Sequence, residues 1–421
     1  MYRLFLLALL LSAITLNVYA AEIQIPLSSG TDIPVSIYSS ATKKADSLLL
    51  WLPSEYGLHG KEQLTAQTLA EKGTEVWIAD LHSAYFSAPG RRSYNTIELR
   101  DIVDLIIASS AQGKREVTLF ATGRAAAFAL LAARELQTNT STKDIVKSAI
   151  LFHPNFYTNT SEVGKDLEYL PITYASNLAI YIAQPALSGK SYQLESLQQH
   201  LRKGGSDVIT QVLPDVADGF NVRKADNLSE ENLYQKTPSI IRSAIKLLKL
   251  YKKPRSARFL PPQQAAVSTS TMNAGLQQYQ GTISNPYLNF SDLSATRHTF
   301  ENHRGDVLLL NFWASWCPPC VKELPSLNRL QSEIKHPNFK ILAINIGEEE
   351  NKVQAFLRPM TIDFPVLTDP EGLSVLPWKL VAFPSSFVID KKGNIRYGLF
   401  GAIEWDNPEV IGIIQHLLSE D

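Results

Sequence analysis

Short apolar runs recur along the chain as far as residue 252, and each gives way to a stretch with helical spacing. "SLLLWLP", "EVWIADL", "EVTLFA", "VKSAILF", "LAIYIA" and "DVITQVL" lack the in–out alternation of a half-solvated sheet. Strands of this kind are buried on both faces. Between them, "EQLTAQTLAEKG", "NTIELRDIVDLIIASSA", "RAAAFALLAAREL" and "SYQLESLQQHLRKG" place apolar residues at helix period, and "SIIRSAIKLLKLY" closes the series. The alternation predicts an α/β fold, a doubly wound parallel sheet with helices on both faces.

From Lys252 the texture changes to "KKPRSARFLPPQQAAVSTSTMNAGLQQYQGTISN", rich in Pro, Gln, Ser and Thr, with four basic and no acidic side chains. No apolar period survives there, which predicts a flexible linker over 253–285. A flexible coil of that length spans roughly 30 Å, enough for its flanks to move independently. Periodicity resumes at Pro286. "DVLLLNFWA" and "KILAINI" read as buried strands, "NKVQAFLRPM" as a helix and "FPVLTD" as a short strand. "PSSFVIDKKGNIRYGLFG" reads as a hairpin turning at Lys392–Gly393, and "NPEVIGIIQHLL" as a closing helix. The expected units are a larger domain over 21–252 and a smaller one over 286–421.

A length of 421 residues also exceeds one ordinary core. Composition is that of a globular protein, with 45% apolar residues, 19% charged residues and a net charge of −1, and it gives no footprint for nucleic acid. At the N-terminus a single Arg3 precedes an apolar run from Leu4 to Leu16, with small residues at Val18 and Ala20. This predicts a secretory signal peptide over 1–20, cleaved after Ala20, since the run is short for a membrane anchor. The protein is then expected in the periplasm, where disulfides persist.

The two cysteines of the chain, Cys317 and Cys320, lie in "NFWASWCPPCVKELP". Three readings compete. As a staple the pair closes a minimal loop and stabilises little. As a structural metal site it lacks a second pair, and His298 and His303 have no usual ligand spacing. As a redox couple it fits its surroundings. It follows a buried strand and opens a helix with an apolar face at Val321, Leu324, Leu327, Leu330 and Ile334. Unpaired N–H groups and the helix dipole there favour a thiolate on Cys317, the species that attacks disulfides. Cys320, one turn inside, is placed to resolve the mixed disulfide. Pro318 and Pro319 stiffen the helix entrance, and Pro325 is expected to kink the helix.

These residues resemble the active-site segment of the thioredoxin fold, in the version of the TlpA/ResA/CcmG-type exported oxidoreductases. The resemblance covers about residues 286–421. It rests on "VLLLNFWA", Trp316, the "KELP" continuation, the insertion "EEENKVQAFLRPMTIDFPVLTDPEG" and "AFPSSFVIDKKGNI". It implies a catalytic Cys317–Cys320 disulfide and a cis-proline at Pro384, with Trp316, Pro318, Pro319, Phe383 and Pro384 around the substrate groove. It also implies protein thiols and disulfides as substrates, apocytochromes among them as in cytochrome c biogenesis, a membrane-bound electron donor, and no metal or organic cofactor. Asn311 stands where thioredoxins proper carry a buried Asp. Glu323 is the nearest acidic candidate for proton handling, and a surface position is equally open to it. Ala382 stands where the family often has Gly. A peroxiredoxin-like peroxidase is associated with a Thr three residues before the attacking cysteine, where Ala314 lies here.

The larger domain resembles an α/β-hydrolase without its tools. The nucleophile elbow reads G-x-S-x-G, and the matching residues are Ala121, Thr122, Gly123, Arg124 and Ala125. Gly123 offers no nucleophile. Asp218, before Gly219 and Phe220, stands where the base is expected, and no carboxylate follows "LAIYIAQPALSGK". His59, His82 and His153 read as satisfied loop histidines. The expectation is a disulfide-exchanging enzyme with a non-catalytic binding domain whose crevice stays open. The alternatives are an interaction protein built on that domain and a live hydrolase under redox control.

Overall fold

The computed structural model describes residues 20–40, 47–90, 92–112, 116–158, 163–260, 275–284 and 286–420. The signal-peptide expectation for 1–20 falls outside them except at Ala20, as do 261–274 and 285 of the expected linker. Among the described residues no helix is long and apolar enough to cross a membrane.

The larger domain runs β1 (Ala21–Pro26), β2 (Asp32–Tyr38), β3 (Ser47–Leu52), α1 (Gly60–Glu71), β4 (Glu75–Ala79), α2 (Leu81–Ala84), α3 (Leu99–Ala111), β5 (Glu116–Thr122), α4 (Ala125–Leu136), β6 (Val146–Phe152), α5 (Ile172–Ala175), β7 (Ala179–Leu187), α6 (Leu194–Gly204), β8 (Asp207–Ala217) and α7 (Leu228–Leu248). The sheet order is β1-β2-β4-β3-β5-β6-β7-β8. Strands β4 to β8 and β3 are parallel, and β1 and β2 form an antiparallel edge. The side-chain period of 2 splits the core in two. Leu48, Leu50 and Leu52 pack towards α3 and α4, while Leu49 and Trp51 pack towards α1 and α7. This is an α/β-hydrolase-like sheet.

Two details depart from the sequence expectation. The hairpin β1–β2 had no counterpart in the apolar runs. Helix α7 begins eleven residues before "SIIRSAIKLLKLY", because Asn227 caps it by accepting from the Glu230 N–H at 3.0 Å. Pro238, which breaks the apolar period, lies inside that helix.

The smaller domain runs β9 (Gln277–Gln278), β10 (Asn289–Ser291), β11 (Arg297–Thr299), β12 (Val307–Trp313), α8 (Pro318–Glu333), β13 (Phe339–Ile346), α9 (Glu350–Leu357), β14 (Val366–Asp369), β15 (Ser385–Ile389), β16 (Ile395–Phe400) and α10 (Pro408–Ser419). Its six-stranded sheet has the order β14-β13-β12-β15-β16-β9. Central β12 pairs parallel with β13 and antiparallel with β15, and all seven of its residues are buried. This mixed sheet with flanking helices is the thioredoxin fold.

The described parts of 253–285 are engaged, contrary to the linker expectation. Buried Arg255 pairs with Asp207 at 2.7 Å, Asn177 Nδ2 donates to the Ser256 carbonyl at 2.8 Å, and Leu260 joins the larger core. At the far end, Leu276 enters the smaller core and β9 extends its sheet. Such isolated anchors leave no periodic trace in composition. The two domains are also docked on each other. Lys379 Nζ lies 2.8 Å from Asp166 Oδ1, and the Thr282 N–H donates to the Gly164 carbonyl at 3.0 Å. The Tyr192 ring lies against Gly347 and Gly372, where an added Cβ would collide with it.

Candidate active site

Register brings the redox residues together. Phe312 lies opposite Ser385 in the antiparallel β12–β15 pair. The chain leaving β12 for the cysteines and the chain entering β15 therefore meet at one end of the sheet. Cys317 is the N-cap of α8, with Pro318 and Pro319 opening the first turn. Its Sγ accepts from the Cys320 N–H at 3.3 Å. The two sulfurs form a disulfide, with Cα atoms 5.3 Å apart. Cys320 is fully buried and Cys317 is 5% exposed. Pro318 and Pro319 are exposed. Helix α8 runs unbroken past Pro325 to Glu333.

The Phe383–Pro384 bond is cis. Pro384 is buried, and Phe383 meets Trp316 edge-to-face with centroids 5.7 Å apart. Trp316 and Phe383 both pack against the apolar cluster that holds the two cysteines. Glu348, which the sequence reading missed, fixes the loop before it. Its carboxylate accepts from the Ser315 N–H at 2.6 Å, from Ser315 Oγ at 2.5 Å and from Asn345 Nδ2 at 2.9 Å. Burial pushes the Glu348 carboxyl up, but these donors outweigh it and hold it below the usual range.

Glu323 is not a surface residue. It faces inward one turn beyond Cys320 and is 2% exposed. Asn311 Nδ2 donates to Oε1 at 2.7 Å and Trp405 Nε1 donates to Oε2 at 3.1 Å. Burial pushes its pKa up to about 7, against the pull of these donors. Asn311 also donates to Ser386 Oγ at 3.0 Å, linking β12, β15 and α8. His298 and His303, weighed as metal ligands, bond each other at 3.0 Å and pair with Asp292 and Asp306. Among the described residues no group of three His, Cys, Asp or Glu could hold a metal ion.

The larger domain carries the other half of the story. Strands β5, β6, β7 and β8 are parallel, so the segments after them share one edge. The elbow is present. Gly123 turns with φ +61° and leads into α4. Glu55, after β3, fills the place a nucleophile would take. Its Oε2 lies where a Cβ on Gly123 would have to go, and it accepts the Arg124 N–H at 2.9 Å. That N–H follows the nucleophile position and in hydrolases helps to hold the oxyanion. A carboxylate therefore sits in the oxyanion site, and the crevice expected to stay open is filled at its inner end.

The remaining triad positions are reversed in charge. Lys190, after β7, stands where the acid belongs, and Asp218 stands where the base belongs. They pair at 2.8 Å, and Lys190 Nζ also donates to the His153 carbonyl at 3.0 Å. His153 is buried, which pushes its pKa down, and its Nε2 accepts from the Gly219 N–H at 3.3 Å. His82 is buried against Ser93, and exposed His59 caps α1. Glu55 and Lys190 were visible as charges beside strand ends, but no motif marks them.

One result follows for the elbow. Gly123→Ser will not create an esterase, because Asp218 rather than a histidine stands at the base position and the new side chain collides with Glu55. The substitution should instead cost about 1–3 kcal/mol, the scale of a non-glycine residue held at positive φ. A thermal melt and a fluorophosphonate labelling assay check both parts. Serine labelling in this variant would show that the triad reading is wrong.

A Cys-X-X-Cys disulfide at the helix N-terminus after a central strand, against a cis-proline, defines a thiol–disulfide oxidoreductase domain of thioredoxin fold. The sequence pattern described as the AhpC/TSA family matches residues 284–398. The thiol-disulfide oxidoreductase ResA of Geobacillus kaustophilus is 31% identical over 119 residues, 28% of this chain and 68% of the relative. ResA of Geobacillus thermodenitrificans is 32% identical over 129 residues, 31% of this chain and 71% of the relative. Through its C-terminal third, the chain belongs to the thiol-disulfide oxidoreductase family. Among solved structures, a protein of Klebsiella pneumoniae described as a dienelactone hydrolase covers 52% of this chain and 96% of its own, at 16% identity and TM-score 0.39.

Proposed function

We propose that the protein is an exported reductase of protein disulfides. The Cys317 thiolate attacks a substrate disulfide, forming a mixed disulfide and releasing one substrate sulfur as a thiolate. Cys320, after giving up its proton, attacks Cys317 Sγ and releases the second sulfur. Two electrons pass from the dithiol to the substrate, and the Cys317–Cys320 disulfide is left to be reduced by a membrane-bound donor. Glu323, buried one turn from Cys320 with a pKa of about 7, is the group to take the Cys320 proton. Trp316, Pro318, Pro319, Phe383 and Pro384 shape the groove. The hydrolase-like domain is non-catalytic and serves docking.

The observation that carries this reading is Cys317 as the cap of α8, its sulfur bonded by the Cys320 N–H. Helix N-termini favour a sulfur anion. The peroxidase alternative calls for a hydroxyl at position 314, where a buried alanine lies. The test is capture. Reduced Cys320→Ser protein, offered a linear peptide with a Cys-X-X-Cys disulfide, should accumulate a mixed disulfide through Cys317, visible by mass. No adduct would sink the redox reading.

A further inference from the structure

We infer that the hydrolase-like domain supplies one wall of the redox groove, and that the relics of its triad hold that wall in place. The wall is the segment Ser188–Tyr192. It leaves the end of β7 and packs directly beside the cis-proline loop. A Cβ added to Gly189 would lie 3.3 Å from the Val381 carbonyl oxygen and 3.6 Å from Cε2 of Phe383. Phe383 in turn touches Trp316, the neighbour of Cys317. A side of the groove that an isolated thioredoxin domain would leave to solvent is therefore covered by a different domain. The disulfide is approached past Pro318 and Pro319, which are exposed.

The segment is braced rather than loose. Ser188 Oγ accepts the Lys190 N–H at 3.2 Å, and Ser191 Oγ donates to the Ser188 carbonyl at 2.6 Å. Lys190 is tied to Asp218 and to the His153 carbonyl. At the far end the Tyr192 ring is seated on the smaller domain. Gly347 and Gly372, both at positive φ, leave the room it occupies. Burial, with the Asp369 and Glu348 carboxylates nearby, pushes the Tyr192 hydroxyl up to about 12, so it stays neutral. Glu348 is the group that fixes Ser315 before the cysteines. The ion pair at the former triad positions thus acts as a strut, and Tyr192 as its anchor beside the active-site loop.

A rigid wall on one side of a sulfur selects by shape. An extended, disulfide-bearing segment can lie along the open side, while a disulfide on the convex surface of a folded protein meets Ser188–Tyr192 first. Steric discrimination of this kind appears in kcat/KM. The inference rests on the redox reading above, and its test separates the two. Full-length protein, Tyr192→Ala and Gly189→Trp are compared on a linear Cys-X-X-Cys disulfide peptide and on insulin, with thermal melts to follow folding. Wild type should prefer the peptide. Tyr192→Ala, which unseats the wall, should raise the insulin-to-peptide ratio of kcat/KM by about tenfold, and Gly189→Trp, which thickens it over Phe383, should lower that ratio. A merely structural role would lower both rates together and leave the ratio unchanged. Ratios within about twofold of wild type in the folded variants overturn the inference while leaving the redox reading intact. If Gly189→Trp does not fold, Tyr192→Ala alone decides. A wild type that reduces neither probe fails the redox reading itself.

Discussion

Cys317→Ser will leave the protein folded and without disulfide exchange. The expected loss is on the order of 10^4-fold or more, the scale on which removing a covalent nucleophile acts. The reason is electronic rather than steric. A serine hydroxyl at the cap of α8 can still accept the Cys320 N–H, so the helix start keeps its bond. It cannot form a bond to sulfur that a second thiol then breaks. Cys320 remains, but it is fully buried and cannot reach a substrate first. The check is turnover of a disulfide peptide with a supplied dithiol, alongside a melting curve. Residual turnover above background would mean that exchange runs through another route.

Glu323→Gln will change both stability and rate, each with a distinct pH signature. The folded-state pKa of about 7 lies above the ordinary value of 4.5 because the carboxyl is buried. The folded protein therefore binds this proton more tightly than the unfolded chain. The associated stability is fully present below about pH 4.5 and is lost as pH rises through about 7. A shift of that size corresponds to about 3 kcal/mol. Glutamine does not ionise, so the variant should gain on the parent by roughly that amount between pH 5 and pH 8.5. At the acid end it should start slightly behind. Asn311 and Trp405 both donate to the carboxyl, and an amide offers only one acceptor oxygen for the two donors. Glu62, buried and pushed up to about 8, titrates in the same window. The quantity to read is therefore the difference between variant and parent in denaturant melts. In turnover, the parent should speed up through pH 7 as the carboxylate forms, and the variant should lose that rise and run about 100-fold slower at pH 8. A flat difference in stability would show that Glu323 is ionised throughout.

Much of the architecture could be read from the chain alone, for a local reason. Unbroken apolar runs mark strands buried on two faces, and helix period marks their covers. Both patterns repeat within about ten residues, inside the reach of one element. Cys317 and Cys320, with the two prolines between them, likewise announce a helix start, because capping depends on neighbouring residues. The lack of a nucleophile at Gly123 was legible, since a missing side chain needs no partner to be noticed.

What the chain could not show is which charges lose water and which domain meets which. Glu323 reads in sequence as one acid on a helix. Its burial depends on Trp405, 82 residues away, closing over it. Glu55 looks like a loop carboxylate until the fold brings it to Arg124, 69 residues on, where it fills the elbow. Lys190 and Asp218 are ordinary surface types whose pairing depends on β7 and β8 lying side by side. The 253–285 segment has a linker's composition, yet Arg255 is held by Asp207 and Leu260 packs into the core of the larger domain. Desolvation, pairing and docking are set by contacts between residues far apart in sequence. Periodicity carries no record of such contacts, and here only the tertiary structure decided them.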